Sequence, residues 1–351
     1  MEKRKDNKLA MTDNRPQQIP PAARLMEMIF GFALSRSIAV AAQLRVADLL
    51  KDGPKSADEL ALAAGAHPRA LYRVLRALSG AGVFAEDADG RFGLTPLSQH
   101  LCSDDQESLR GFAEMMAGGV IYETWAELPY SVKTEQPVFP HKFGVPWFGW
   151  LEQNPAEGKV FNDAMTSLSA SAVGAVVGAY DFSGIEKLVD VGGGHGLLLA
   201  TVLSKYPEMR GVLYDEPKVV EGAGEVLAAH GVADRCEAVG GDFFASVPAG
   251  GDAYMLKHII HDWSDEECLT ILGHCRAGMT PGGKVLIVEM VIPGPNVPAV
   301  SKFLDLIMLT FLTGRERTED EYRDLLARAG FELTRIVPTP SPYSVIEGVG
   351  K

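Results

Sequence analysis

Leu188-Val189-Asp190-Val191-Gly192-Gly193-Gly194-His195-Gly196 decides the architecture of this chain, because an apolar run gives way there to a glycine-rich turn and then to the apolar helix that starts near Leu197. Glycines at such a turn let a ligand approach the backbone at a helix N-terminus, beside the point where strand order reverses. Outward from the turn, short apolar strands alternate with helices: Lys187 to Val191, Gly211 to Tyr214, Cys236 to Gly240, Tyr254 to Leu256 and Lys284 to Glu289. That alternation predicts a parallel sheet with right-handed crossovers. Two last strands, Phe331 to Val337 and Tyr343 to Gly348, are separated only by a Pro-rich loop, too short for a crossover helix, so this pair is expected to be antiparallel. A nicotinamide fingerprint GxGxxG would need a glycine or alanine where Leu197 stands.

Upstream of the sheet the pattern is helical. From Ala22 to about Leu50, Leu25, Ile29, Phe32, Ile38, Leu44 and Leu49 recur at roughly helical spacing, which predicts one or two helices. Ser56 followed by Glu59 is a capping-box pattern, Gly65 ends that short helix, and Pro68 opens another carrying Leu71, Val74, Leu75 and Leu78. Asp89-Gly90 then forms a hairpin turn between Val83-Phe84-Ala85 and Arg91-Phe92-Gly93-Leu94. Two short helices followed by a hairpin make a winged-helix unit. The expected division is a disordered polar tail over 1–21, the winged helix over 22–103, a helical bridge contributing to a substrate pocket over 104–180, and the α/β, Rossmann-like sheet domain over 181–351.

Composition narrows the function. At 351 residues, 46% apolar and 23% charged, the chain is long enough for two packed cores. A net charge of -13 offers no general attraction for phosphate backbones, so nucleic acid is not the expected partner. Cys102, Cys236, Cys268 and Cys275 form no CxxC pair and read as reduced thiols. No secretion signal opens the chain and no apolar run reaches membrane-spanning length, so the expected location is the cytoplasm.

The chemistry-bearing residues sit at strand ends. Asp215 closes the second strand about twenty residues after the glycines, where an acid accepts hydrogen bonds from ribose hydroxyls; Glu216 beside it is an equal candidate. Asp242 and Phe243 end the third strand. After the fourth comes Lys257-His258-Ile259-Ile260-His261-Asp262-Trp263-Ser264-Asp265-Glu266-Glu267, which brings two histidines to the mouth of the site. His258, His261 and Asp262 admit a metal reading, but the segment has neither a cysteine cluster nor HExxH, and no metal is expected.

The run from Asp190 resembles motif I of class I methyltransferases. Together with GGDFF, HDWSD, PGGK and Gly314-Arg315-Glu316-Arg317-Thr318, the chain from about Ala22 onward closely resembles the small-molecule O-methyltransferases of the caffeic acid and hydroxyindole type and their bacterial relatives. The resemblance implies S-adenosylmethionine as cofactor, S-adenosylhomocysteine as product, and a homodimer formed through the N-terminal domain. It implies His261 as general base, Glu289 and Glu316 as the acids that flank and orient it, and Asp262 near the substrate hydroxyl. Cofactor contacts carried over by the same resemblance are Gly192, Gly194, Asp215, Asp242, Phe243, Lys257 and Ser169; pocket contacts are Phe161, Met165 and Met308.

These residue types suit the reaction. A sulfonium methyl is already electrophilic, so the protein must chiefly align the hydroxyl and exclude water. A phenol has a pKa of about 10 against about 6.5 for imidazole, so proton transfer becomes favourable as the oxygen attacks. The family's usual His-Asn-Pro is replaced here by Thr310-Phe311-Leu312-Thr313, which makes the pocket more apolar and moves the expected substrate from phenylpropanoids to a polyketide, indole or phenazine phenol of secondary metabolism. Two rival readings are a cofactor-binding relative that decarboxylates or hydroxylates, and a winged-helix regulator contacting phosphate through Arg69, Arg73 and Arg76.

Overall fold

The computed structural model describes residues 19–105, 107–116 and 118–351, so the expected tail lies outside the described residues as far as Gln18. Its centre is a seven-stranded sheet made of β1 (Lys187–Val191), β2 (Arg210–Asp215), β3 (Cys236–Gly240), β4 (Gly251–Lys257), β5 (Met279–Glu289), β6 (Phe331–Pro338) and β7 (Ser344–Gly350). Across the sheet the order is β3-β2-β1-β4-β5-β7-β6. β1 pairs in parallel with both β2 and β4, so the strand order reverses there and the crevice outside their C-terminal ends is the switch point. β7 runs antiparallel to β5 and to β6, as the short Pro-rich connection requires.

Helices cover both faces, which is why Leu188, Val189 and Val191 of β1, residues 253–256 of β4 and residues 285–288 of β5 are apolar and buried. On one face Leu188, Met255 and Leu286 pack under the helices Pro155–Ala179 and Leu197–Lys205. On the other, Val189, Leu256 and Ile287 meet Ile271, Leu272 and Tyr322 from the helices Asp265–Gly278 and Glu319–Arg328. On β7, Glu347 accepts hydrogen bonds from Thr334 and Arg335 and a short one from Tyr180. Burial raises the Glu347 pKa, but these donors and Lys284 outweigh it and hold the carboxyl at about 2.

In the N-terminal unit the Ser56 capping box with Glu59 is present, and Pro68 is the first residue of the helix Pro68–Gly80. The hairpin strands Phe84–Glu86 and Arg91–Leu94 pair antiparallel, with Lys55–Ser56 added on the outer side of the second. The expected one or two helices before Leu50 form three pieces, Pro21–Ile29, Gly31–Gln43 and Val46–Leu49. Arg45 causes the last break: its left-handed backbone (φ 52) swings Val46 and Ala47 into the core. The first two helices leave Met26, Ile29 and Phe32 61–63% exposed, an apolar face far barer than an isolated surface residue explains. Among the described residues no single helix is long and apolar enough to cross a membrane; these two, bent by 43°, reach that length and composition only as a pair.

Candidate active site

The turn after β1 is shaped by what its glycines omit. A Cβ on Gly192 (φ +68) would overlap Ile259 Cδ1, and one on Gly193 would stand 2.6 Å from Asp190 Oδ2. Gly192 therefore sits between Ile259 and the Phe243 ring, and Gly193 leaves room for the Asp190 carboxyl. Asp190 is 1% exposed, and its Oδ1 has no hydrogen-bond partner among the described residues. Burial pushes its pKa up to about 7 despite the opposing charge of Lys257. A buried, unpaired acid beside a bare backbone turn fits a ligand that brings its own donors and positive charge.

Asp215, at the end of β2, turns inward. Its Oδ2 accepts from Gly194 N–H at 2.7 Å, and its Oδ1 accepts from Glu216 N–H at 2.7 Å. The carboxylate thus also braces the glycine turn, while Glu216 is exposed. Asp242 is exposed and accepts from Phe244 N–H at 2.8 Å; Phe243 packs edge-on to Trp263 at 6.0 Å. His195 is exposed and packs against Gly222. The side chain of Ser169 lies outside the described residues.

After β4 the chain makes a sharp bend. His258 adopts a left-handed backbone (φ 57), with its ring against Tyr343 at 4.7 Å, and desolvation drives its pKa well below 6.5. It fills space as a neutral ring, in keeping with a structural histidine. Lys257 is held below the usual lysine range by burial, in the fields of Asp190 and Asp262.

A 3₁₀ turn, Ile260–Asp262, presents His261, which is 8% exposed. Its Nδ1 is 2.6 Å from Glu316 Oε1, and its Nε2 is 3.5 Å from Asp262 Oδ1. With Glu316 ionised the proton sits on Nδ1, leaving Nε2 as the basic atom. Burial alone would lower the His261 pKa, but Asp262, Glu289 and Glu316 outweigh it and push it up to about 10. Asp262 is itself raised to about 7 by burial.

Glu289 does not bond the imidazole ring. Its Oε1 accepts from His261 backbone N–H at 3.0 Å, and its Oε2 accepts from the Tyr322 hydroxyl. Ligand atoms of His261, Glu289 and Glu316 lie within 4.8 Å of one another, spacing that a metal ion would tolerate. However, both Glu289 oxygens and His261 Nδ1 already make these hydrogen bonds, so the group is an orienting network.

Aromatic rings cluster on the helical side of Trp263. Phe148 stands 6.2 Å from Phe161 and 6.4 Å from Trp263, and Phe161 meets Trp147 edge-on at 5.8 Å. Met165 is half-buried one turn after Phe161 on the same helix, and Met308 is 5% exposed on the helix Ser301–Phe311. Phe311 stacks on Phe139 at 5.4 Å, inside this aromatic cluster.

Sequence reasoning quoted Asp190 and Gly314 within motifs but gave neither a role, and it missed Tyr322. A Cβ on Gly314 would overlap the His261 carbonyl oxygen and the Asp262 carbonyl carbon and come within 2.5 Å of Trp263 N. Only a glycine lets the 314 loop lie directly on the backbone of the turn that carries His261.

This sheet order, with a bare glycine turn and a buried His–Glu pair at its switch point, defines a cofactor-dependent group-transfer fold. Residues 125–332 match the family model of the O-methyltransferase domain, and residues 26–104 match that of the O-methyltransferase dimerisation domain. The phenazine O-methyltransferase PhzM of Lysobacter antibioticus is 44% identical over 335 residues, 95% of this chain and 98% of that protein. The mitomycin biosynthesis 6-O-methyltransferase of Streptomyces lavendulae is 37% identical over 92% of each chain. Human N-acetylserotonin methyltransferase, solved in complex with S-adenosylmethionine, superposes with a TM-score of 0.85 at 26% identity, covering 96% of this chain and 99% of that one. The chain belongs to the S-adenosylmethionine-dependent O-methyltransferase family.

Proposed function

We propose that the protein methylates a phenolic hydroxyl of a small, planar aromatic metabolite, with His261 as general base. The observation that carries this reading is the 2.6 Å contact from His261 Nδ1 to Glu316, which orients Nε2 as a proton acceptor beside an aromatic wall. S-adenosylmethionine supplies an electrophilic methyl group. Gly192, Gly194, Asp215, Asp242, Phe243 and Lys257 hold the cofactor in this reading, with Ser169 assigned by resemblance alone. Phe161, Met165 and Met308 close over the acceptor ring and exclude water, and Asp262 lies next to its hydroxyl. Neutral His261 removes the hydroxyl proton as the oxygen attacks, and Glu316 stabilises the imidazolium that forms.

The proposed assembly is a cytoplasmic homodimer, with the exposed face of Met26, Ile29 and Phe32 against the partner. Acidic net charge (-13) argues against nucleic acid as a ligand of the winged helix. A titration with S-adenosylmethionine followed by a labelled-methyl transfer screen over phenols, indoles and phenazines tests the function. Label on oxygen supports it; cofactor binding with no transfer to any acceptor overturns it.

The raised pKa of His261 sets a pH signature. Only the neutral ring accepts a proton, so the acid limb of kcat/KM is expected above pH 6.5, with activity rising into the alkaline range. The charged ring also stabilises the fold; this contribution is complete below the unfolded value near 6.5 and fades as pH rises through the folded value. Glu316→Gln removes one of the charges that raises the pKa, so its acid limb shifts to lower pH while kcat at the plateau falls. A limb that stays in place in pH–rate profiles of this variant separates Glu316 from the base.

A further inference from the structure

We infer that Arg317 is the positioning residue of the catalytic turn, a role that rests on the reading of His261 as base. Glu316 and Arg317 are neighbours where Arg317–Thr318 pairs in parallel with Val291–Ile292, and successive side chains of such a strand point to opposite sides. Glu316 reaches the imidazole, and Arg317 reaches the backbone that carries it. The Arg317 side chain is 0% exposed. One guanidinium nitrogen donates to Ile260 O at 3.0 Å; the other reaches Trp263 O at 3.4 Å and Asp265 Oδ1 at 2.8 Å. Ile260 and Trp263 are the residues immediately before and after His261-Asp262, so a single rigid fork grips both ends of the turn.

Charge and geometry both require arginine. Asp265 neutralises the buried cation, and it is anchored from outside by Arg315 at 3.0 Å. A lysine ammonium carries the same charge but has no planar fork, so it cannot hold two carbonyls and a carboxylate in fixed directions at once. Cys268 Sγ, at 3.1 Å from Ile260 O, cannot replace the fork because a thiol is a weak donor. Loosening the turn moves His261 away from Glu316, which both misaligns Nε2 and removes part of the field that raises its pKa.

Kinetic comparison of wild type, Arg317→Lys, His261→Ala and the double variant tests the assignment. Arg317→Lys is expected to lower kcat roughly 10- to 100-fold, in line with the cost of a misplaced catalytic group, to leave the KM for S-adenosylmethionine within about threefold, and to move the acid limb of the pH profile down. In the His261→Ala background the same substitution should cost almost nothing further, because it acts through the missing ring. Wild-type kcat and pH limb in folded Arg317→Lys overturn the proposal, as does a full additional loss in the double variant. A His261→Ala enzyme with wild-type rate instead removes the base reading, whatever Arg317 does. If Arg317→Lys does not fold, Asp265→Asn decides, since it leaves the fork but frees its anchor: a kcat loss of threefold or more with the same limb shift supports the role, and an unchanged kcat overturns it.

Discussion

His261→Ala is expected to transfer methyl groups about 10²- to 10⁴-fold more slowly than the wild type, the range that general-base assistance contributes. Binding of S-adenosylmethionine should survive, because the proposed cofactor residues belong to other segments: the turns after β1 and β3, the end of β2, and Lys257 at the end of β4. Some stability is lost as well. Glu316 is 2% exposed and would keep a buried carboxyl without its 2.6 Å partner, a cost of about 1–3 kcal/mol. That carboxyl is already raised by burial, and without His261 to lower it the group should take up a proton and stay neutral. Single-turnover kinetics with saturating cofactor isolate the chemical step. A variant rate within twofold of wild type in that experiment would eliminate His261 as the base.

The second large effect is expected at Gly314, which opens the motif that carries Glu316 but was assigned no role of its own. Gly314→Ala places a methyl group where the His261 carbonyl oxygen, the Asp262 carbonyl carbon and Trp263 N already are, and these backbone atoms cannot rotate aside as a side chain does. Overpacking of this kind costs about 1–3 kcal/mol. If the fold accommodates it by lifting the 314 loop, Glu316 and Arg317 move with it. Displacement of a catalytic constellation by about 1 Å costs on the order of 10²-fold in rate. Gly294→Ala is the matched control, since a Cβ there meets nothing within 4 Å. Thermal unfolding and kcat measured together should show both falling for Gly314→Ala and neither for the control; a fully active Gly314→Ala enzyme would show that the loop and the turn do not need their close approach.

The sequence determined the features that depend on near neighbours. The strand-to-helix turn at Gly192, the capping boxes at Ser56 and Thr318 and the hairpin at Asp89-Gly90 each follow from residues within a few positions, and such local preferences survive in the fold. Alternation of strands and helices beyond Gly184 defined the parallel sheet, and the short loop before Tyr343 forced the antiparallel end. His261, Glu289 and Glu316 were legible as a set because their motifs resemble those of a known family.

The division of labour among those residues was decided by tertiary structure alone. Glu289 bonds the backbone of His261, 28 positions away, and leaves the ring to Glu316, 55 positions away. Tyr322, which no local pattern marks, braces Glu289, and Arg317, quoted only as part of the Glu316 motif, braces Ile260 across 57 positions. Gly314 belongs to a quoted motif, but its need to be glycine shows only when the turn of His261 is folded against it. Contacts between distant segments depend on which strands pair and how two loops pack, and these distances exist only once the sheet has closed.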